Sequence, residues 1–239
     1  MLTTILFIFI VLLASVLQAS TGFGFSLMAT PFLFLIFEPR EAVQINLILS
    51  LAISCTLVPK LKNEIDFAVL KRITIGSVAG LPIGLLVYLV LNLNILKVVI
   101  SIIILLSTVL LMLKLRIKQT KVRDFIVGGI SGAFTVSMGI AGPPLLLYFA
   151  GTDTEKEKLR STALAFYLFI YSISLISHVT FAGTAKVIWF SSAYAIPLII
   201  IGLILGQFLY KRMNERLFMI LIYIILLITG SQLLYNSLG

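Results

Sequence analysis

The stretch Gly128 to Phe149, GGISGAFTVSMGIAGPPLLLYF, sets the tightest limit on how this chain can fold. It is apolar enough for a bilayer, yet Gly139, Gly142, Pro143 and Pro144 interrupt it within six residues. Proline cannot donate the i→i−4 hydrogen bond, and its ring clashes with the preceding turn. Pro143 also biases Gly142 away from helical backbone. The stretch therefore reads as two half-helices meeting at a bend. Lipid tolerates such a bend only where protein covers it or where it lines a cavity. Ala19 to Phe37, ASTGFGFSLMATPFLFLIF, repeats the design.

The rest of the chain fits a membrane setting. Of 239 residues, 60% are hydrophobic and 11% charged, against roughly 25% charged in a soluble domain. Mean hydropathy is +1.17. The long apolar runs predict an all-α, multi-pass helical bundle. Net charge is +9. The basic residues sit mostly in short loops, where they orient the chain and meet anionic headgroups. No nucleic-acid-binding module is visible. Cys55 is the single cysteine, so no disulfide framework or thiolate metal cage can form within the chain; it reads as a packing residue. Residues 2–17 lack a basic leader and a small-x-small cleavage site, and read as a mature helix.

Helices are expected over 2–19, 25–37, 42–58, 73–91, 95–113, 125–138, 143–150, 161–181 (interrupted at His178), 187–210 and 217–235. Lys60–Arg72 reads as a polar connection, Asn92–Asn94 as a tight turn, and Gly151–Arg160 as a mixed-charge loop. Lys114–Arg123 holds five basic residues and no acidic one. It divides the chain into a first membrane repeat (1–113), a basic cytoplasmic linker (114–123) and a second repeat (124–239). Ala29-Thr-Pro-Phe-Leu33 aligns with Ala141-Gly-Pro-Pro-Leu145, Gly80-Leu-Pro-Ile-Gly84 with Gly202-Leu-Ile-Leu-Gly206, and Asn92 with Asn214. Internal repeats of this kind mark transporters.

Lys114–Arg123 and Lys211–Arg216 are the most basic loops, and so are expected in the cytoplasm. The helices 161–181 and 187–210 join them by two crossings. The broken stretch then adds none and enters and leaves as a re-entrant hairpin, with arms of roughly 14 and 8 residues against the ~20 a span needs. The same count places the first hairpin on the opposite face, giving two inverted repeats with three spanning helices each. Residues 2–19 are long enough to span alone, and a full span there would loosen that symmetry.

The two hairpin tips would meet near the midplane. Each is a helix N-terminus, where amides lack internal partners and the dipole is positive. Glycine lets an anion approach that backbone closely. Ser20, Thr21, Gly22 and Gly24 are expected to face Ser137, Gly139, Ala141 and Gly142, with Pro143 beside them, as a neutral cradle for a small oxyanion. The competing reading is that these Gly and Pro residues only kink and pack helices. Gln18, Gln44 and Asn46 adjoin the first tip. Gln44 and Asn46 are about 200° apart around a helix, so only one can face the site. Arg160, Ser161 and Thr162 hold the comparable place in the second half. Arg160 is a candidate anion gate or a snorkelling helix-end residue. His178 is a candidate proton relay or an interface residue. No Asp or Glu falls inside an expected helix core, which disfavours a cation pump and favours an anionic solute. No catalytic constellation, metal cage or cofactor motif is visible, so an enzyme is not expected. Gly76, Gly80 and Gly84, like Gly202 and Gly206, read as close helix packing. Trp189, with Tyr and Phe near helix ends, reads as an aromatic belt.

TGFGFSLMATPFL, followed by an acidic loop and a polar-faced helix, resembles the amino-terminal signature of the TauE/SafE sulfite exporter family. GGISGAFTVSMGIAGPPLLLYF resembles its second-half counterpart, and the likeness covers essentially the whole chain. The resemblance implies a multi-pass cell-membrane transporter, typically an exporter, of small sulfur-containing or organic anions such as sulfite or sulfoacetate, coupled to protons or to the membrane potential. An anion channel and a non-transporting membrane scaffold are the competing classes. Neither oligomeric state nor direction of transport is readable from the residues.

Overall fold

The computed structural model describes residues 2–90, 93–113, 116–152, 154–212 and 214–238. Among the described residues every regular element is a helix: α1 Leu2–Thr21, α2 Phe25–Leu33, α3 Pro39–Leu61, α4 Phe67–Val90, α5 Leu93–Met112, α6 Lys121–Met138, α7 Gly142–Gly151, α8 Lys156–Ala182, α9 Lys186–Arg212 and α10 Glu215–Leu238. Five stretches, Thr3–Thr21, Pro39–Glu64, Phe67–Val90, Lys156–Ala182 and Lys186–Arg212, are long and apolar enough to cross a membrane.

Several boundaries differ from the sequence expectation because capping chemistry lies in the polar flanks. Glu38 and Glu41 form a reciprocal capping box that starts α3 at Pro39. Asp66 accepts the amides of Ala68 and Val69 at 3.1 and 3.0 Å, starting α4 at Phe67. The 60–72 connection thus shrinks to one 3₁₀ turn, Lys62–Glu64, and its flanks. Thr120 accepts the Arg123 amide and starts α6 at Lys121, inside the stretch read as linker. α8 begins at Lys156, so Arg160 is helical, and it runs through His178 without interruption. Asn92 and Lys114 lie outside the described residues, and with them part of the expected turn, the Asn92–Asn214 match and part of the linker.

The helices pair across the chain's two halves. α4 lies along α6, α1 along α9, α5 along α10, and α3 along α8. Glycine makes the first two pairings close. A Cβ on Gly80 would collide with the Gly129 carbonyl oxygen, and one on Gly206 would collide with the Ala19 side chain and the Val16 carbonyl. These backbones touch as small-xxx-small packing expects. Leu86, Val90, Phe190, Ile204 and Phe208 are exposed apolar residues on the outer surface, as lipid contact requires.

One charged pair in this frame has its acid buried. Arg72 Nε donates to Asp124 Oδ2 at 2.5 Å, and the Tyr148 hydroxyl donates to Asp124 Oδ1 at 2.5 Å. Asp124 is fully buried in the first turn of α6. The expectation of no acid inside a helix missed it by one residue, because the helix starts earlier than its apolar run. Cys55 is exposed rather than packed.

Candidate functional site

Both broken stretches end one helix and begin another within a few residues. In the first, Thr21 Oγ1 donates to the Leu17 carbonyl at 2.7 Å and accepts the Phe23 amide at 3.1 Å. Gly22 and Gly24 carry φ of +79° and +113°, backbone that a side chain would strain. α2 then starts after Gly24. In the second, Gly139 has φ of +72° and closes α6 by donating to the Thr135 carbonyl at 2.7 Å. This left-handed closure is the usual way to end a helix. α7 opens directly at Gly142, so Pro143 leaves Gly142 helical and fits the first turn itself.

Proline also takes something away. The four amides that a helix N-terminus leaves free belong here to Ala141, Gly142, Pro143 and Pro144. Two of these have no N–H. The tip of α7 therefore offers half the donors of an ordinary helix start.

Two phenols from α8 stand beside this helix start. Tyr167 and Tyr171 are fully buried one turn apart, with rings stacked at 5.2 Å. A Cβ on Gly142 would stand 3.5 Å from the Tyr167 hydroxyl. That hydroxyl has no hydrogen-bond partner among the described residues. The Tyr167 ring meets Phe23, in the first break, edge-on at 6.0 Å. Tyr171 donates to Ser26 Oγ in the first turn of α2 at 3.0 Å, and the Ala141 backbone and Ser50 lie against the same hydroxyl. The two breaks thus converge on one face of α8. A buried hydroxyl without a partner costs about 1–3 kcal/mol and calls for an explanation.

The residues singled out from sequence take varied places. Asn46 Nδ2 donates to the Gly139 carbonyl at 2.8 Å, while Asn46 Oδ1 is left without a partner among the described residues. Gln44 Nε2 donates to the Gly183 carbonyl at 2.8 Å, away from Gly139. Gln18 reaches the Ser50 carbonyl at 3.4 Å. Ser20 and Ser137 hydroxyls bond carbonyls of their own helices, Leu17 and Ala133. Thr162 accepts the Asp66 amide at 3.0 Å and lines a separate polar cavity of about 240 Å³ with Gln119, Thr154 and Lys158.

Arg160 is 3% exposed and packs directly on Gly22. Its Nη2 donates to the Ala19 carbonyl, and its guanidinium lies 4.2 Å over the Tyr210 ring. Ala19 is in the last turn of α1, whose carbonyls form the negative end of the dipole. The first tip therefore carries a buried cation, where the sequence reading expected a neutral cradle. His178 Nε2 meets the Val136 carbonyl at 2.6 Å, so this nitrogen holds the hydrogen. The ring stacks on Tyr88 at 4.1 Å, and Nδ1 has no partner among the described residues.

Tyr167 and Tyr171 were not singled out from sequence, although a signal exists. Arg160, Tyr167, Tyr171, Ser174 and His178 are all buried on α8. Their spacing of 7, 4, 3 and 4 keeps them on one side of the helix. That makes a polar stripe in an apolar span.

Grouped acids, histidines and cysteines able to hold a metal are absent among the described residues. No curated protein and no solved structure gives a significant match to the chain. The family described as Sulfite exporter TauE/SafE matches residues 7–233. That span takes in both breaks, the α8 stripe and all four helix pairings, and the chain belongs to the TauE/SafE sulfite exporter family of membrane transporters.

Proposed function

We propose that the protein is a secondary transporter, in the export direction, of small sulfur-containing or organic anions such as sulfite or sulfoacetate. The anion is held between the two helix breaks, with the Tyr167 hydroxyl and the Gly142 amide as donors and Arg160 as the nearby positive charge. The observation that carries this reading is the unpartnered Tyr167 hydroxyl beside the donor-poor start of α7. An oxyanion would accept that hydrogen bond and, being charged, gain roughly twice what a neutral acceptor gains.

The halves 1–113 and 124–239 act as inverted repeats, each with one re-entrant hairpin and three crossings, joined by the basic segment 114–123 on the cytoplasmic side of the cell membrane. Support comes from the reciprocal packing: the first helix of each half lies on the fourth helix of the other, α1 on α9 and α6 on α4. Rocking of one half against the other would expose the tips alternately. Gly22, Gly24, Gly139 and Ala141 shape the pocket backbone, and Ser20, Thr21, Gln18, Asn46, Ser137 and Pro143 form its surroundings. Proton coupling would rest on His178, whose Nδ1, without a partner among the described residues, would take up the proton while Nε2 keeps its bond to Val136.

The test is saturable flux in proteoliposomes against a panel of small anions, with and without a pH gradient. Saturation by sulfite or a sulfonate is expected. Gly142→Leu should abolish flux while insertion is retained, because a side chain there meets Leu27 at 3.0 Å and the Tyr167 hydroxyl. Non-saturating, voltage-scaled flux would favour a channel, and no flux of any anion would favour a scaffold.

A further inference from the structure

We propose that the furrow between α3 and α9 binds one anionic phospholipid, its headgroup on Lys60 and Lys211 and an acyl chain along α9. The furrow encloses about 560 Å³. From α9 it is lined at four-residue intervals by Ile196, Ile200, Ile204 and Phe208, a spacing that puts them on one stripe. From α3 come Thr56 and Lys60, one turn apart.

The chemistry of the furrow changes along its length. Ile196 to Lys211 covers fifteen residue steps, or about 22 Å at the rise of an α-helix. That exceeds the ~15 Å of one hydrocarbon leaflet. The Ile196 end offers only apolar side chains. The other end gathers Lys60, Lys211 and Gln207, and Arg212 stands beside it with its guanidinium 4.2 Å over the Phe208 ring. Among the described residues no carboxylate pairs with Lys60 or Lys211. An apolar slot longer than a leaflet, with unneutralised cations at one mouth, is complementary to a molecule with a hydrocarbon tail and an anionic head. Basic pockets between membrane helices recognise phospholipids on this principle. A sulfite-sized anion would leave the apolar length empty, and a zwitterionic lipid would leave the lysines uncompensated. The site shares no residue with the anion pocket and does not rest on the transport reading.

The experiment uses the full chain, reconstituted in nanodiscs of phosphatidylcholine with a minority of phosphatidylglycerol, and counts retained lipids by native mass spectrometry. The wild-type protein is expected to retain phosphatidylglycerol in preference to phosphatidylcholine. Lys60→Gln and Lys211→Gln should each lower that preference about fivefold, and the double variant about 25-fold. Ile200→Trp, which fills the slot without touching charge, should reduce bound lipid of both kinds. Lys186→Gln, at the opposite end of α9, should change nothing. The proposal is overturned if the double variant keeps the wild-type preference, if Lys186→Gln lowers it equally, or if the furrow is covered by a second copy of the chain and retains no lipid.

Discussion

The Tyr171 hydroxyl donates to Ser26 Oγ across 3.0 Å and ties the middle of α8 to the first turn of α2. Both groups are buried, and Ser50 and the Ala141 backbone lie at the same oxygen. Tyr171→Phe would leave Ser26 short of its partner. We expect a loss of roughly 1 kcal/mol, read as earlier thermal unfolding in detergent. Unchanged unfolding would mean that the bond does not fasten the first break.

Tyr167→Phe should behave in the opposite way. Its hydroxyl has no hydrogen-bond partner among the described residues, so stability should hold or rise slightly. Anion affinity should fall about 10- to 100-fold, the range for a hydrogen bond to a charged group of ~1.5–3 kcal/mol. The half-saturating anion concentration for flux measures this. A value equal to wild type would remove Tyr167 from the pocket.

Two glycines at one contact should respond differently. A Cβ on Gly80 collides with the Gly129 carbonyl, whereas a Cβ on Gly129 meets the Gly76 carbonyl at an ordinary 3.4 Å. Gly80→Ala is expected to cost about 1–3 kcal/mol by forcing α4 from α6. Gly129→Ala should be neutral, or gain up to ~1 kcal/mol from helix propensity. Unfolding midpoints of the two variants decide the matter, and equal midpoints would contradict the packing.

The Arg72–Asp124 pair is one-sided, with Asp124 fully buried and Arg72 24% exposed. Asp124→Asn keeps the Tyr148 bond but removes the charge opposite Arg72. Coupling between Arg72→Met and Asp124→Asn should be about 1–3 kcal/mol in a double-mutant cycle, the upper end being reduced by solvent at Arg72. Additive losses would show that the two residues act separately.

His178→Gln can still donate to the Val136 carbonyl but has no ring nitrogen to take up a proton. Flux without a gradient is expected to persist, and its stimulation by a pH gradient to disappear. Stimulation that survives the substitution would move proton coupling elsewhere.

The helices, the two breaks and the glycine seams were legible in the sequence. Long apolar runs, Gly-Pro clusters and four-residue glycine spacing each carry a local physical signature. Boundaries were legible less well, since Glu38, Asp66 and Thr120 cap helices from within charged or polar stretches. The pocket was half legible. Gly22 and Gly142 stand out as breaks, but nothing local shows that α8 lies against both. Pro143 and Pro144 read as kinks in the sequence, and their missing amides point to a need for outside donors only because α7 starts at Gly142. Tyr167 and Tyr171 resemble ordinary core aromatics until the stripe from Arg160 to His178 is traced. Arg160 at the first tip depended on a contact 141 residues apart in sequence, which no window along the chain reports.

The glycine seams bear on motion. The glycine contacts fit in one register: sliding α4 along α6, or α9 along α1, would carry a side chain to a place where a Cβ has no room, which opposes sliding. Each couple is expected to swing as a single lever. α6 runs straight into the Met138–Gly142 break and α1 into the Thr21–Phe25 break. In the proposed rocking, a tilt of α4 would haul the far half's break with it, and a tilt of α9 the near one: each half of the chain would hold the handle of the other's break.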